Sequence, residues 1–373
     1  MDSKMKYLIE ENAERQKKWA YLTEGIEDGS PLGKQKRLQV EVLLENMEWH
    51  LNYLKETSQI ANVGAFPTFA FPLVRRIFPK LIAQNLCSVQ PMSQPTGKAF
   101  FLDFRYGTAK GGISVDDRLD QMGSVAKNYA DRTPESGDIA EINFHISSVD
   151  ISAEEKALKA KWTMEAQQDL KAYHGLDAES ELMTVLGDEI IREVDMLIID
   201  DMTAQGTAGN VNWNINMPNE APWTNIDPKI YKATLYDALV DANNMVFKKR
   251  YRNCTWAVAD ADTCTRLEKL EGFKLSETVD DAVFNIGIHL FGVLRNRWVL
   301  YKNPWYQGNK ILMGFKGTSW LDTGYVYAPY IPLYTTPLMI DPNTMQPVRG
   351  MMSRYAKKCV QGDCFATVTL VSS

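Results

Sequence analysis

Apolar residues fall at Leu158, Trp162, Ala166, Leu170 and Tyr173, the three- and four-residue spacing of one helix face. Ala153, Ala157, Ala160 and Met164 form a small-residue stripe beside them. Ser152, followed three residues later by Glu155, has the form of a capping box, in which a hydroxyl and a carboxylate satisfy amide donors at a helix start. Gly175 supplies a left-handed stop. The spacing therefore predicts a helix of roughly 22 residues, a rod of about 33 Å. A second helical pattern follows Asp177, with Leu182, Leu186, Ile190, Val194 and Leu197 on one face. Residues 4–56 also read as helical, broken by GIEDGSPLG, with Leu43, Met47, Leu51 and Leu54 on one face amid charged residues. Asp227–Pro228 is an N-cap and N1 pair for a helix through about Lys249, with Leu235, Leu239, Ala242 and Val246 inward.

The period changes to two in a pair of segments. Phe100, Leu102, Phe104 and Tyr106 alternate with Phe101, Asp103 and Arg105, and Ala140, Ile142, Phe144 and Ile146 with Glu141, Asn143, His145 and Ser147. The polar, turn-rich stretch between them is too long for a compact connection without a function of its own. A two-stranded arm makes little core, so its apolar alternation fits another subunit. Residues 59–97 are Pro-rich and aromatic: Pro67, Pro72, Pro79, Pro91 and Pro95 break any long helix except a piece near 74–83. Both an arm crossing a neighbour and an internal connector have this texture. Downstream, TWAVA, IGIHLFGVL, WVLY, KILMGF, YVYAPY and CFATVTLV read as short strands. Helices, a long hairpin and a terminal mixed sheet together predict an α+β protein with projecting arms.

A chain of 373 residues buries a large core and usually divides into two or so domains. The net charge of −6 argues against a dedicated nucleic-acid binder, whose footprint is basic. With no long apolar run and no signal-peptide core, the expectation is a soluble protein, cytoplasmic at synthesis and outside membranes. Cys87, Cys254, Cys264, Cys359 and Cys364 lack zinc-ribbon spacing and read as reduced thiols, although Cys359 and Cys364 flank a tight turn. His50, His145, His174 and His289 are scattered outside any metal pattern. Gly97–Lys98 lacks Walker A spacing, since Met92 stands five residues before Gly97. The pairs Asp116–Asp117, Asp200–Asp201 and Asp280–Asp281 are adjacent in sequence, so their side chains diverge and build no paired-carboxylate site. The basic run Lys248, Lys249, Arg250 and Arg252 suits a helix C-terminus. No catalytic, cofactor-binding or metal residue is expected.

Three blocks resemble the major capsid proteins of T-even-type tailed phages. The first is Val89-Gln90-Pro91-Met92 with Pro95-Thr96-Gly97 and Tyr106-Gly107. The second runs through Ala157–Ala160, Thr163–Glu165, Gln168–Ala172 and His174–Glu179, matching the family's spine helix. The third comprises Gly314, Lys316, Gly317, Tyr327-Ala328-Pro329-Tyr330, Asp341-Pro342, Gln346-Pro347, Gly350 and Arg354-Tyr355. Their order and spacing follow the family over roughly residues 60–356. The resemblance implies the fold shared by tailed-phage capsids and the herpesvirus floor domain. Its expected parts are a helical N-terminal segment (1–57), an N-terminal arm (58–96), an extended loop (97–150), a peripheral domain with the spine helix (151–228), an axial domain (229–340) and a return to the peripheral domain (341–373). An insertion domain carried by T-even capsid proteins has no room here between Tyr106 and the expected spine helix.

The function implied is a capsid subunit assembling into hexamers and pentamers of an icosahedral head around double-stranded DNA, without specific DNA binding. Its expected location is the virion, with assembly in the host cytoplasm. Partners implied are itself, a scaffold protein, a prohead protease, a portal and decoration proteins. Expected inter-subunit contacts are Phe66, Phe69 and Phe71 in the arm and Phe100, Leu102, Phe104, Ile142 and Phe144 in the loop hairpin. The family's propeptide is cut after Leu/Ile-x-Glu, a pattern met at Glu10, Glu24, Glu45 and Glu56. The alternatives are an encapsulin-type shell around a cargo enzyme, which shares the fold, and a soluble α+β enzyme whose site is assembled in space.

Overall fold

The computed structural model describes residues 13–20, 22–23, 31–57, 81–109, 114–115, 141–175, 178–216, 227–275, 288–306, 308–317, 321–341, 344 and 346–372. Two sheets and one long hairpin organise them. In chain order the helices are α1 (13–20 and 22–23), α2 (Pro31–Thr57), α3 (Ala83–Leu86), α4 (Met164–His174), α5 (Ala178–Gln205), α6 (Pro228–Arg250) and α7 (Ala261–Glu268). The strands are β1 (Ser88–Val89), β2 (Thr96–Tyr106), β3 (Ile142–Ser152), β4 (Glu154–Lys161), β5 (Gly209–Asn214), β6 (Trp256–Ala259), β7 (Phe273–Leu275), β8 (His289–Leu294), β9 (Trp298–Lys302), β10 (Lys310–Gly314), β11 (Tyr325–Thr335), β12 (Met339–Ile340), β13 (Pro347–Cys359) and β14 (Phe365–Val371).

The five-stranded sheet is built on β13. Met351 of that strand pairs with Thr335 of β11 on one edge and Leu158 of β4 on the other, and β12 joins further along. β1 closes the β11 side in parallel. Helices cover both faces. On one, Tyr325 donates its hydroxyl to Asp201 Oδ2 of α5 at 3.0 Å, and Lys357 Nζ lies 2.7 Å from the same oxygen. On the other, α2 lays Val40, Leu43, Leu44 and Met47 into the core, and its His50 ring meets Tyr334 edge-on with centroids 5.0 Å apart. Double-sided cover explains why almost every residue of β11 is buried, and why that strand reads as a near-continuous apolar run.

The second sheet has the order β5-β14-β10-β6-β9-β8-β7, with α6 and α7 packed on it. Asp227 accepts from Lys229 N at 2.9 Å, Pro228 opens the helix, and Leu235, Leu239, Ala242 and Val246 are buried, as the spacing predicts. All six expected strands form. The sheets exchange segments across the expected domain cuts. β5, from the 151–228 segment, and β14, from 341–373, join the seven-stranded sheet, whereas β11, from 229–340, joins β4 and β13. Long-range pairing decides this, and local pattern carries no record of it.

The first predicted helix is the main correction. Residues 154–161 form a strand in register with β13 from Glu154↔Tyr355 to Lys161↔Val348, so Ser152 and Glu155 are not a capping box. ALKAK satisfies both periods, and the neighbouring β13 edge selects the strand, with Lys156, Leu158 and Ala160 turned to the more protected side. The helix starts instead at Thr163, whose hydroxyl accepts from Ala166 N at 3.2 Å. It stops at Gly175, φ +65°, as expected. The long helix is α5, with 28 residues and a length of about 42 Å. Its buried line runs through Met183, Ile190, Val194, Ile198 and Met202, rotated slightly from the predicted stripe.

Candidate assembly surfaces

β2 and β3 pair over their full length, from Thr96↔Ser152 to Tyr106↔Ile142. Antiparallel partners lie on the same face of a ladder, and neighbours along a strand alternate faces. One face presents Ala99, 0 % exposed, and Phe101, 6 %, to the body of the subunit. The other carries the positions of Phe100, Leu102 (opposite Ile146), Phe104 (opposite Phe144) and Tyr106 (opposite Ile142). Five predicted contact residues thus share one face. On that face Phe100, Ile142 and Ile146 are 41 %, 54 % and 50 % exposed. Large apolar side chains in water along a two-stranded ladder mark a surface meant to be covered. Phe66, Phe69 and Phe71 lie outside the described residues, as do the side chains of Leu102, Phe104 and Phe144.

Sequence reasoning missed a surface unit that follows the end of β4. α4 has no buried residue: Met164 is 52 % and Tyr173 82 % exposed, and Trp162 Nε1 donates to Gln167 Oε1 at 3.1 Å near its start. Met339 and Ile340 of β12 are 59 % and 56 % exposed. The charged residues between the apolar ones in ALKAKWTMEAQQDLKAY were the available signal, because a helix with that much charge around it has little buried face.

The four triplets that fit the cleavage pattern separate by position. Glu10 and Glu24 lie outside the described residues, and Glu56 sits near the C-terminal end of α2. Glu45 is inside α2, paired with Arg15 of α1, and the preceding Leu43 and Leu44 are both 0 % exposed. Gln39 Nε2 donates to Val89 O at 2.9 Å, and Asn46 Nδ2 to Met92 O at 2.7 Å and Tyr330 O at 3.1 Å, so α2 is tied to the sheet by hydrogen bonds as well as apolar packing.

The buried titratable groups take part in packing and pairing within the fold. Burial pushes the Cys87, Cys254 and Cys264 thiols up to about 12 and Cys359 up to about 11, which removes thiolate character at neutral pH. Asp195 of α5, 5 % exposed, is pushed upward by burial, opposed by backbone N–H bonds from Ile82 and Ala83. Lys316, pushed downward by burial, donates to Gln84 O. These two residues fasten the α3–β1 segment between the long helix and the end of β10. Asp201 is held by Tyr325 and Lys357, and Asp200 beside it is pushed upward by burial and by the Asp201 charge. Among the described residues no group of three His, Cys, Asp or Glu side chains is arranged to hold a metal, and no helix is long and apolar enough to cross a membrane.

The family described as Major capsid protein Gp23 matches residues 63–134 and 114–369. The major capsid protein of Vibrio phage KVP40 is 28 % identical over 245 residues, covering 61 % of this chain and 47 % of its own length, so the chain spans about half of that relative. The major capsid protein of Enterobacteria phage T4 is 25 % identical over 390 residues, covering 76 % of this chain and 73 % of its own. That of Salmonella phage ViI is 24 % identical over 376 residues, covering 86 % and 84 %. Among solved structures, a chain from Mycobacterium phage Cain aligns with a TM-score of 0.47 at 7 % identity, over 79 % of this chain and 90 % of that one. The capsid structure of cyanophage P-SCSP1u aligns at 0.45 and 11 %, over 80 % and 88 %. With the family match running through both sheets and the hairpin, the chain belongs to the Gp23 major capsid protein family.

Proposed function

We propose that the chain is the repeating subunit of an icosahedral phage head, assembling into hexamers and pentamers around double-stranded DNA by interlocking, without catalysis. The observation that carries this reading is the one-sided apolar face of the β2–β3 hairpin, exposed in the single subunit at Phe100, Ile142 and Ile146. Overlap with a neighbour in a closed lattice covers such a face. In this reading the hairpin is the extended loop, β4 with α4, α5 and β13 forms the peripheral part, and the seven-stranded sheet forms the axial part. Residues 58–96 form the arm. A scaffold protein, a portal and decoration proteins are the partners of assembly, which takes place in the host cytoplasm. The enclosed DNA meets a wall with no specific site for it, in keeping with a net charge of −6.

A prohead protease is the further partner. An endoprotease binds its substrate extended, and the triplet ending at Glu45 is helical with two buried leucines, which disfavours cutting after Glu45. The test is negative-stain electron microscopy of the protein expressed alone and with its scaffold and protease, with intact-mass analysis of the particles. Shells or capsomers are expected, without a species beginning at residue 46. A uniform small oligomer in every sample overturns the reading.

A further inference from the structure

α2 lies in the segment that the Leu/Ile-x-Glu triplets mark for removal, yet it has the contacts of a permanent layer. Glu24 precedes it in sequence and Glu56 stands in its last turn. Val40, Leu43, Leu44 and Met47 are buried almost completely, as is Glu41, which accepts from Arg37 Nε at 3.0 Å. The polar contacts are as specific as the apolar ones. The β11–β13 ladder shifts register between Pro329 and Ile331, which leaves Tyr330 outside the pairing, and Asn46 Nδ2 donates to the Tyr330 carbonyl. The same amide nitrogen reaches Met92 O, and Gln39 Nε2 reaches Val89 O. Without α2 these carbonyls lose their partners, and the sheet loses the cover that lets β11 be apolar on both faces. α1 is more weakly held. Trp19 and Thr23 are its buried residues, and its ion pairs Arg15–Glu45 and Lys18–Glu48 are partly exposed.

We infer that α2 stays on the five-stranded sheet in the finished shell, so that a cut on either side of it is a nick and residues 31–57 remain as a bound layer. The inference rests on the shell-subunit reading. A nick removes chain connectivity and none of the contacts above. What it adds is a dissociation step, and that step requires a large apolar face on the helix and another on the sheet to enter water together. The hairpin already exposes one apolar face that a neighbour must cover. A subunit stripped of α2 would need a second cover, for a face that its own chain fits.

Particles made with the scaffold and protease, denatured and weighed by intact-mass analysis, test this directly. Residues 31–57 are expected at one copy per subunit, on the main chain or as a separate peptide. Subunits that begin at or after residue 57, with no such peptide in the particle, overturn the inference. In the unassembled subunit, a site-specific protease sequence inserted between Thr57 and Ser58 makes the nick in vitro. The peptide carrying α2 should co-elute with the body in gel filtration and leave it in urea. Leu43→Ala should weaken its retention by about thirtyfold or more. Trp49→Ala, at an exposed position of the same helix, should change it by less than about threefold. Elution of the peptide apart from a folded body, or equal effects of the two substitutions, overturns the inference. The particle masses decide the matter if the insertion prevents folding. Electron microscopy separates the two readings: shells without residues 31–57 keep the shell and remove the bound layer, whereas a retained peptide on a subunit that forms no shell does the reverse.

Discussion

His50 meets Tyr334 edge-on beneath α2, and burial together with the Arg354 charge pushes its pKa below the ordinary histidine value. The folded subunit therefore prefers the neutral imidazole. An unfolded chain takes up a proton from about pH 6.5 downward. This contribution is complete above that pH and is lost as pH falls from there through the lowered folded value. Urea unfolding of the subunit at pH 7.5 and 5.5 should show a loss at the lower pH that His50→Gln diminishes. Gly314 offers a second test at this scale. A Cβ there would overlap the Trp256 ring across the β10–β6 pair, and Trp256 is 2 % exposed with little room to yield. Gly314→Ala should destabilise the subunit by about 1–3 kcal/mol, visible as a lowered Tm. Neither neighbour was legible in sequence, because both contacts join residues brought together by pairing across the chain.

At the scale of elements, α2 behaves as a core layer. Leu43→Ala should cost about 2–5 kcal/mol, the range for a fully buried leucine. Trp49→Ala, on the same helix at 60 % exposure, should stay within roughly 0.5 kcal/mol. Equal, small effects in chemical denaturation would mean that α2 does not pack on the sheet. The predicted stripe already contained Leu43 and Met47, so the buried face of this helix was readable. The strand at β4 was not. Ala157, Leu158, Lys159 and Ala160 suit either period, and the choice came from β13, almost two hundred residues away in sequence. The exposed α4 follows from the same event: once 154–161 joined the sheet, only an 11-residue helix remained, lying on the surface.

For the whole molecule, the hairpin face is the decisive surface. Ile146→Asp should leave the subunit's Tm nearly unchanged, since Ile146 is half-exposed in it, yet prevent capsomer and shell formation. Phe104→Asp, at the same register parity, should also block assembly. Sedimentation velocity and electron microscopy read the outcome, and normal shells from both variants would remove the hairpin from the interface. The contrast with Leu43→Ala is diagnostic, because one substitution acts on folding and the other on association.

Local rules alone determined the α+β class, the α6 helix with its cap, the Gly175 stop, the strand segments and the parity that collects Phe100, Leu102, Phe104, Ile142 and Phe144 on one hairpin face. Each depends on residues within a few positions of one another, where spacing and capping chemistry act directly. Tertiary structure alone decided that β4 is a strand, that β5 and β14 leave their neighbours for the seven-stranded sheet, and that α2 closes the second face of the other. It also set Gln90 against the β2 edge. These outcomes depend on which distant edge or face remains open when the chain collapses, and no window of sequence contains that competition.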